Sequence, residues 1–235
     1  MAGKTYVETF DAGPGGWFSW AGHSKNVPLQ IENGVAVSRS PWAIDSNHAP
    51  PGAGYLHLLF VLPTADLTEL PQETRGFSGP NRFVEGGFPV DFTNAKITVR
   101  LKGEVESKGA KLVLLVQGNV GDRTINYVLT GRPLEVAPEW SEQTLTLIPD
   151  LRRWTCLGAR YDLLDFYGWG DIADVLRNVN VDIIFVLFTP DVTPLPAIDG
   201  DHHRLRPQID YPIDESKLPQ GVVMMDKVVI EFRSK

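Results

Sequence analysis

Basic residues are scarce in this chain: 22 Lys and Arg stand against 29 Asp and Glu, a formal net charge of −7. That balance excludes a generally basic nucleic-acid binder. Cysteine is nearly absent, and the single Cys156 forms no intrachain disulfide, so the staples of small secreted modules are missing. No stretch approaches the ~18–20 uninterrupted apolar residues of a membrane span, and the N-terminal MAGKTYVETFDAG lacks the apolar segment of a signal peptide. As written, the chain reads as soluble and cytoplasmic, although a leader removed beforehand would leave no trace. The short motifs of hydrolases and nucleotide binders are also missing: there is no Gly-x-Ser-x-Gly, no Gly-x-Gly-x-x-Gly and no Walker loop.

Gly (22) and Pro (18), by contrast, are abundant in 235 residues, which favours turns over long helices. With 43% hydrophobic and 22% charged residues, the chain can bury an ordinary globular core. Where a pattern exists it has period two. Tyr6 to Phe10, Leu29 to Val37 and Ala95 to Lys102 alternate, and Asn33-Gly34 in the second of these is a hairpin signal. Leu112 to Gln117 is more uniformly apolar and reads as a central strand, followed by Ile125 to Thr130. Further strands are expected at Leu56 to Leu62, around Leu145 and Leu147, at Val181 to Thr189, and at the end through Val228, Ile230 and Phe232. One helix is predicted, capped by Asp171, with Ile172, Val175, Leu176 and Val179 on one face. About nine strands and one short helix predict an all-β fold, a two-layer antiparallel β-sandwich of jelly-roll type forming a single domain over 1–235. Two Pro-rich connections, Pro63 to Pro89 and Pro190 to Gln220, exceed the usual loop length and are expected to be ordered and to wall a site.

Three segments carry a family likeness: Phe10-Asp11-Ala12-Gly13 with Gly16-Trp17, then Gly168-Trp169-Gly170 leading by a short helix into a strand, and finally Asp226-Lys227-Val228-Val229-Ile230. This layout resembles the jelly-roll carbohydrate-binding modules of the galactose-binding-domain-like superfamily. The resemblance implies glycan binding and a structural Ca2+ held by Asp11 and Asp226. Parity with Val228 and Ile230 would turn Asp226 inward, where a carboxylate must be paired or metal-bound. The alternative is that Asp226 accepts backbone N–H bonds and Asp11 makes a turn into Gly13.

The densest cluster of polar and aromatic groups lies between Ser40 and His57, where Trp42, Asp45, Asn47, His48 and Tyr55 combine aromatic faces with planar polar groups. Sugar recognition uses that mixture. Arg123 and Tyr127 on one hairpin and Trp169 on a glycine turn complete the candidate ligand set, and each has an alternative role as a core or turn residue. The run Asp199-Gly200-Asp201-His202-His203, with His48 or His57, forms a weaker metal-enzyme alternative. Three functions thus stay open: a binding protein for a carbohydrate or similar polar molecule, a carbohydrate-active enzyme, and an assembly subunit in which an oligomer would form.

Overall fold

In the computed structural model the described residues are 3–21, 25–46, 54–66, 80–195, 200–201 and 204–233. Two sheets face each other. The first contains β1 (Thr5–Glu8), β4 (Gln30–Glu32), β5 (Val35–Arg39), β8 (Lys96–Glu106), β11 (Ser141–Thr146) and β15 (Gln220–Glu231). Its order is β11-β8-β15-β5-β4, and β1 also lies against β15. The second contains β2 (Phe18–Ala21), β3 (Lys25–Pro28), β6 (Ile44–Asp45), β7 (Leu56–Pro63), β9 (Lys111–Val120), β10 (Arg123–Val128), β12 (Thr155–Cys156), β13 (Tyr167–Gly168) and β14 (Asp182–Phe188). Its order is β12-β10-β9-β14-β7-β2-β3, with β13 on β10 and β6 on β7. Only β10 and β13 pair in parallel among these. The chain alternates repeatedly between the sheets, as in a jelly roll.

Local chemistry explains the elements. Asn33 and Gly34 have φ of 52° and 78°, the two positive values of a tight hairpin turn whose twist matches the flanking strands, and they join β4 to β5. Alternating β8 buries Ile97, Val99 and Leu101 and wets the residues between them. The uniformly apolar β7, β9 and β14 are covered on both faces, which explains their lack of alternation. One face carries Leu62, Leu114, Val116, Ile183 and Phe185 into the main core; the other carries Leu58, Val61, Val113, Leu115, Ile184 and Val186 into a second cluster.

Two short helices occur among the described residues. The predicted one, α2 (Ile172–Arg177), is capped by the Asp171 carboxylate accepting from the Ala173 N–H. The other, α1 (Arg82–Glu85), lies inside the first long connection; Asn81 caps it by accepting from the Phe83 and Val84 N–H groups. At a single turn it is too short to show helical periodicity in the sequence. The second long connection packs a small apolar cluster of its own, with Tyr211, Ile213 and Leu218 against Ile44. Buried Arg160 ties that connection to the sandwich, donating to Asp162, the Ser46 hydroxyl and the Arg204 carbonyl. No helix among the described residues is long and apolar enough to cross a membrane.

Candidate ligand cleft

Between β3 and β4, at the edge of both sheets, the chain crosses from one sheet to the other through buried Leu29. A cleft of about 960 Å³ lies there, near the upper end of the range for small-molecule sites. One wall is the end of β5 and the Ser40–Ala43 strap; the other comes from Gln208, Glu215 and Leu218 to Gln220. Two reciprocal bonds hold the walls together: the Ser40 N–H donates to the Gly221 carbonyl and the Gly221 N–H to the Ser40 hydroxyl, both at 2.9 Å. Trp42 lies mostly buried in the strap, its indole N–H donating to the Ser38 hydroxyl at 3.0 Å. Trp20 is half-buried on the opposite sheet and lines the same cleft. Arg39, which also lines it, is paired with Glu32 at 3.0 Å.

His57 borders the cleft from β7, 1% exposed and with its ring beside that of Trp42. Its Nδ1 is 3.0 Å from the Ala43 carbonyl oxygen. Burial lowers the imidazole pKa, against smaller opposing effects of the Ala43 and Trp42 backbone. The ring is therefore neutral, and because a carbonyl can only accept, its proton sits on Nδ1. Nε2 is left as a buried lone pair with no hydrogen-bond partner among the described residues. An unmet buried polar group of this kind costs about 1–3 kcal/mol.

The residues singled out in the sequence do not meet at one place. Trp42 lines the cleft. Asp45 is buried on β6, and Tyr55 meets Tyr211, hydroxyl to hydroxyl, at 3.3 Å beside the small cluster, where burial pushes its phenol pKa up. Asn47, His48, Asp199, His202 and His203 lie outside the described residues. Arg123, Tyr127 and Trp169 converge on a second place, the turn at 165–170. There Arg123 donates to the Asp165 carbonyl at 2.5 Å and Tyr127 to the Gly170 carbonyl at 2.6 Å. Burial, then the neighbouring Cys156, pushes Tyr127 up to about 12. Trp169 is 65% exposed and lies close over Gly158, where a Cβ would come within 2.4 Å of its ring. Trp17 is core, stacked near-parallel to Phe185 with centroids 6.1 Å apart.

Asp226 faces outward because β15 is bulged between Met225 and Lys227, which reverses the parity that would have turned it inward. Arg100 takes its Oδ2, while its Oδ1 is buried without a partner among the described residues. Asp11 is exposed beside Gly34. A Ca2+ ion takes six to eight oxygens, and a guanidinium beside one candidate ligand repels a cation. Among the described residues no group of three or more His, Cys, Asp or Glu is placed to hold a metal. The buried acid of the N-terminal turn is Glu8, which sequence reasoning passed over. The Arg82 guanidinium supplies its counter-charge, with Nη2 2.6 Å from Glu8 Oε1.

Trp20, Arg39, Gln208, Glu215 and Gln220 were also missed as cleft residues. Trp20 flanks an early strand and reads as a core or end-plug residue, and the other four carry no local motif.

No protein-family model matches the chain, and no curated protein matches it in sequence. Among solved structures, the L4b domain of human laminin alpha-2 is similar over 62% of each chain, with 7% identity and a TM-score of 0.30. The chain thus spans less than two thirds of that domain, and a likeness this slight carries no argument.

Proposed function

We propose that the protein binds a carbohydrate, or a similarly polar small molecule, in the cleft at the edge of the sandwich. The supporting observation is the lining itself: the indoles of Trp20 and Trp42 share one cavity with the planar polar groups of Gln30, Arg39, Gln208 and Gln220. An aromatic face packs against the C–H face of a sugar ring, while amides and guanidinium groups meet its hydroxyls. Among the described residues Glu215 is the one carboxylate lining the cleft, whereas glycoside hydrolysis uses two facing each other. This favours binding over catalysis.

Affinity electrophoresis through gels containing soluble cellulose, xylan, mannan or galactan derivatives tests the reading. At least one should retard the protein, with a shift in tryptophan emission, and Trp20→Ala should weaken retention about tenfold, equivalent to about 1.4 kcal/mol. No retardation in any gel, with unmoved emission, would remove the proposal.

A further inference from the structure

His57, one of the residues lining the cleft, carries one group whose chemistry is incompletely used: its Nε2 is buried beside the cleft with no partner among the described residues. The Ala43 carbonyl fixes the tautomer, so this nitrogen accepts and cannot donate. Trp42 packs against the ring on one side, and Nδ1 is committed on another, which leaves Nε2 as the free end of a positioned acceptor. Building on the reading of the cleft as a ligand site, we propose that His57 Nε2, buried in the free protein, is uncovered on ligand binding and receives a hydrogen bond from a hydroxyl of the ligand. The cleft floor thereby selects molecules with a donor at that point, a sugar or other polyol with a free hydroxyl. It discriminates against ethers and carboxylates, which bring acceptors only. Rejection by an unmet polar group is a stronger source of specificity than the fit of apolar surface.

The probes are methyl glucoside, methyl galactoside and methyl mannoside, each beside its fully O-methylated form, which keeps the ring and its acceptors and has no donor. Two signals are read on the full chain: the ¹⁵N resonances of the His57 imidazole and tryptophan emission. The free protein should show Nδ1 protonated and Nε2 bare; the opposite tautomer overturns the proposal. At least one methyl glycoside should move the Nε2 resonance and the emission together in a saturable way, and its O-methylated form should move neither. If emission saturates while Nε2 stays still, the proposal fails and the cleft remains a binding site. If no methyl glycoside moves either signal, the cleft reading fails and takes the proposal with it. His57→Gln, which retains an acceptor oxygen, should bind within about threefold of the parent, and His57→Leu about tenfold more weakly, as expected for one neutral hydrogen bond. Equal affinity of the parent and His57→Leu overturns the proposal. Should His57→Leu not fold, the nitrogen resonances of the parent decide.

Discussion

Arg82→Ala should be among the most destabilising single substitutions outside the apolar core. The guanidinium clamps α1 onto the N-terminal turn. Its Nε and Nη2 donate to Glu8 at 2.9 and 2.6 Å, Nη2 also to the Gly13 carbonyl at 2.7 Å, and Nη1 to the Ala12 carbonyl at 3.1 Å. The Glu8 side chain is 3% exposed, that of Arg82 31%. Removing one partner of a buried ion pair typically costs 3–5 kcal/mol, because the remaining charge is stranded. Glu8 would not be wholly stranded: its Oε1 still accepts from the Thr9 and Phe10 N–H groups at 3.0 and 2.9 Å, and its Oε2 from the Tyr6 hydroxyl at 3.3 Å. Arg82 is also partly wet. Both facts place the cost at the lower end, about 3 kcal/mol, or roughly 6–12 °C in Tm for a chain of this size. Arg82→Lys should recover less than half, because an ammonium cannot reproduce the fork. Thermal unfolding followed by circular dichroism measures both, and repeating it in about 1 M NaCl should leave the parent's advantage largely intact, since a pair removed from water is little screened. A loss below about 1 kcal/mol, or one that vanishes in salt, would show that Glu8 and Arg82 act as an ordinary surface pair.

The lowered pKa of His57 gives stability a pH dependence. Above about pH 6.5 the ring is neutral whether the chain is folded or not, so the full stability is present. As pH falls below that value the unfolded chain binds the proton first, and stability drops by at most about 1.4 kcal/mol per unit until the lowered folded-state pKa is passed. Urea unfolding between about pH 7 and 4 should show a shallower decline for His57→Gln than for the parent, and parallel curves would contradict this. Gly221→Ala should destabilise by about 3 kcal/mol or more, because φ is +136° and the added Cβ would lie 2.0 Å from the Glu104 carbonyl oxygen. A urea midpoint equal to the parent's would show that β15 shifts there without cost. Gly158→Ala should displace Trp169, read as a change in tryptophan emission, while leaving carbohydrate retention unchanged if the cleft is the binding site.

The sandwich was legible because its information is local. Alternation in β8, the Asn33-Gly34 turn and the Asp171 cap each depend on residues only a few positions apart. The bulge at Met225 to Lys227 was not, since no residue type there marks it, and one extra residue reverses the facing of Asp226. Nor was the pairing of Glu8 with Arg82, whose partners lie 74 positions apart. The cleft shows both sides of this. Of the Ser40 to His57 cluster Trp42 and His57 line the cleft, and the facing wall at Gln208 to Gln220 becomes visible only when the second long connection folds back onto the sandwich. Trp169, grouped with Trp42 in the candidate ligand set, belongs to a different surface.

Amide hydrogen exchange in the presence of the polysaccharide fraction that retards the protein shows which surface the carbohydrate covers. New protection is expected at Ser38 to Ala43 and Glu215 to Gln220, with Leu157 to Gly170 unchanged. Protection confined to Leu157 to Gly170, with the cleft walls exchanging as before, would contradict binding in the cleft and move it to the Trp169 surface.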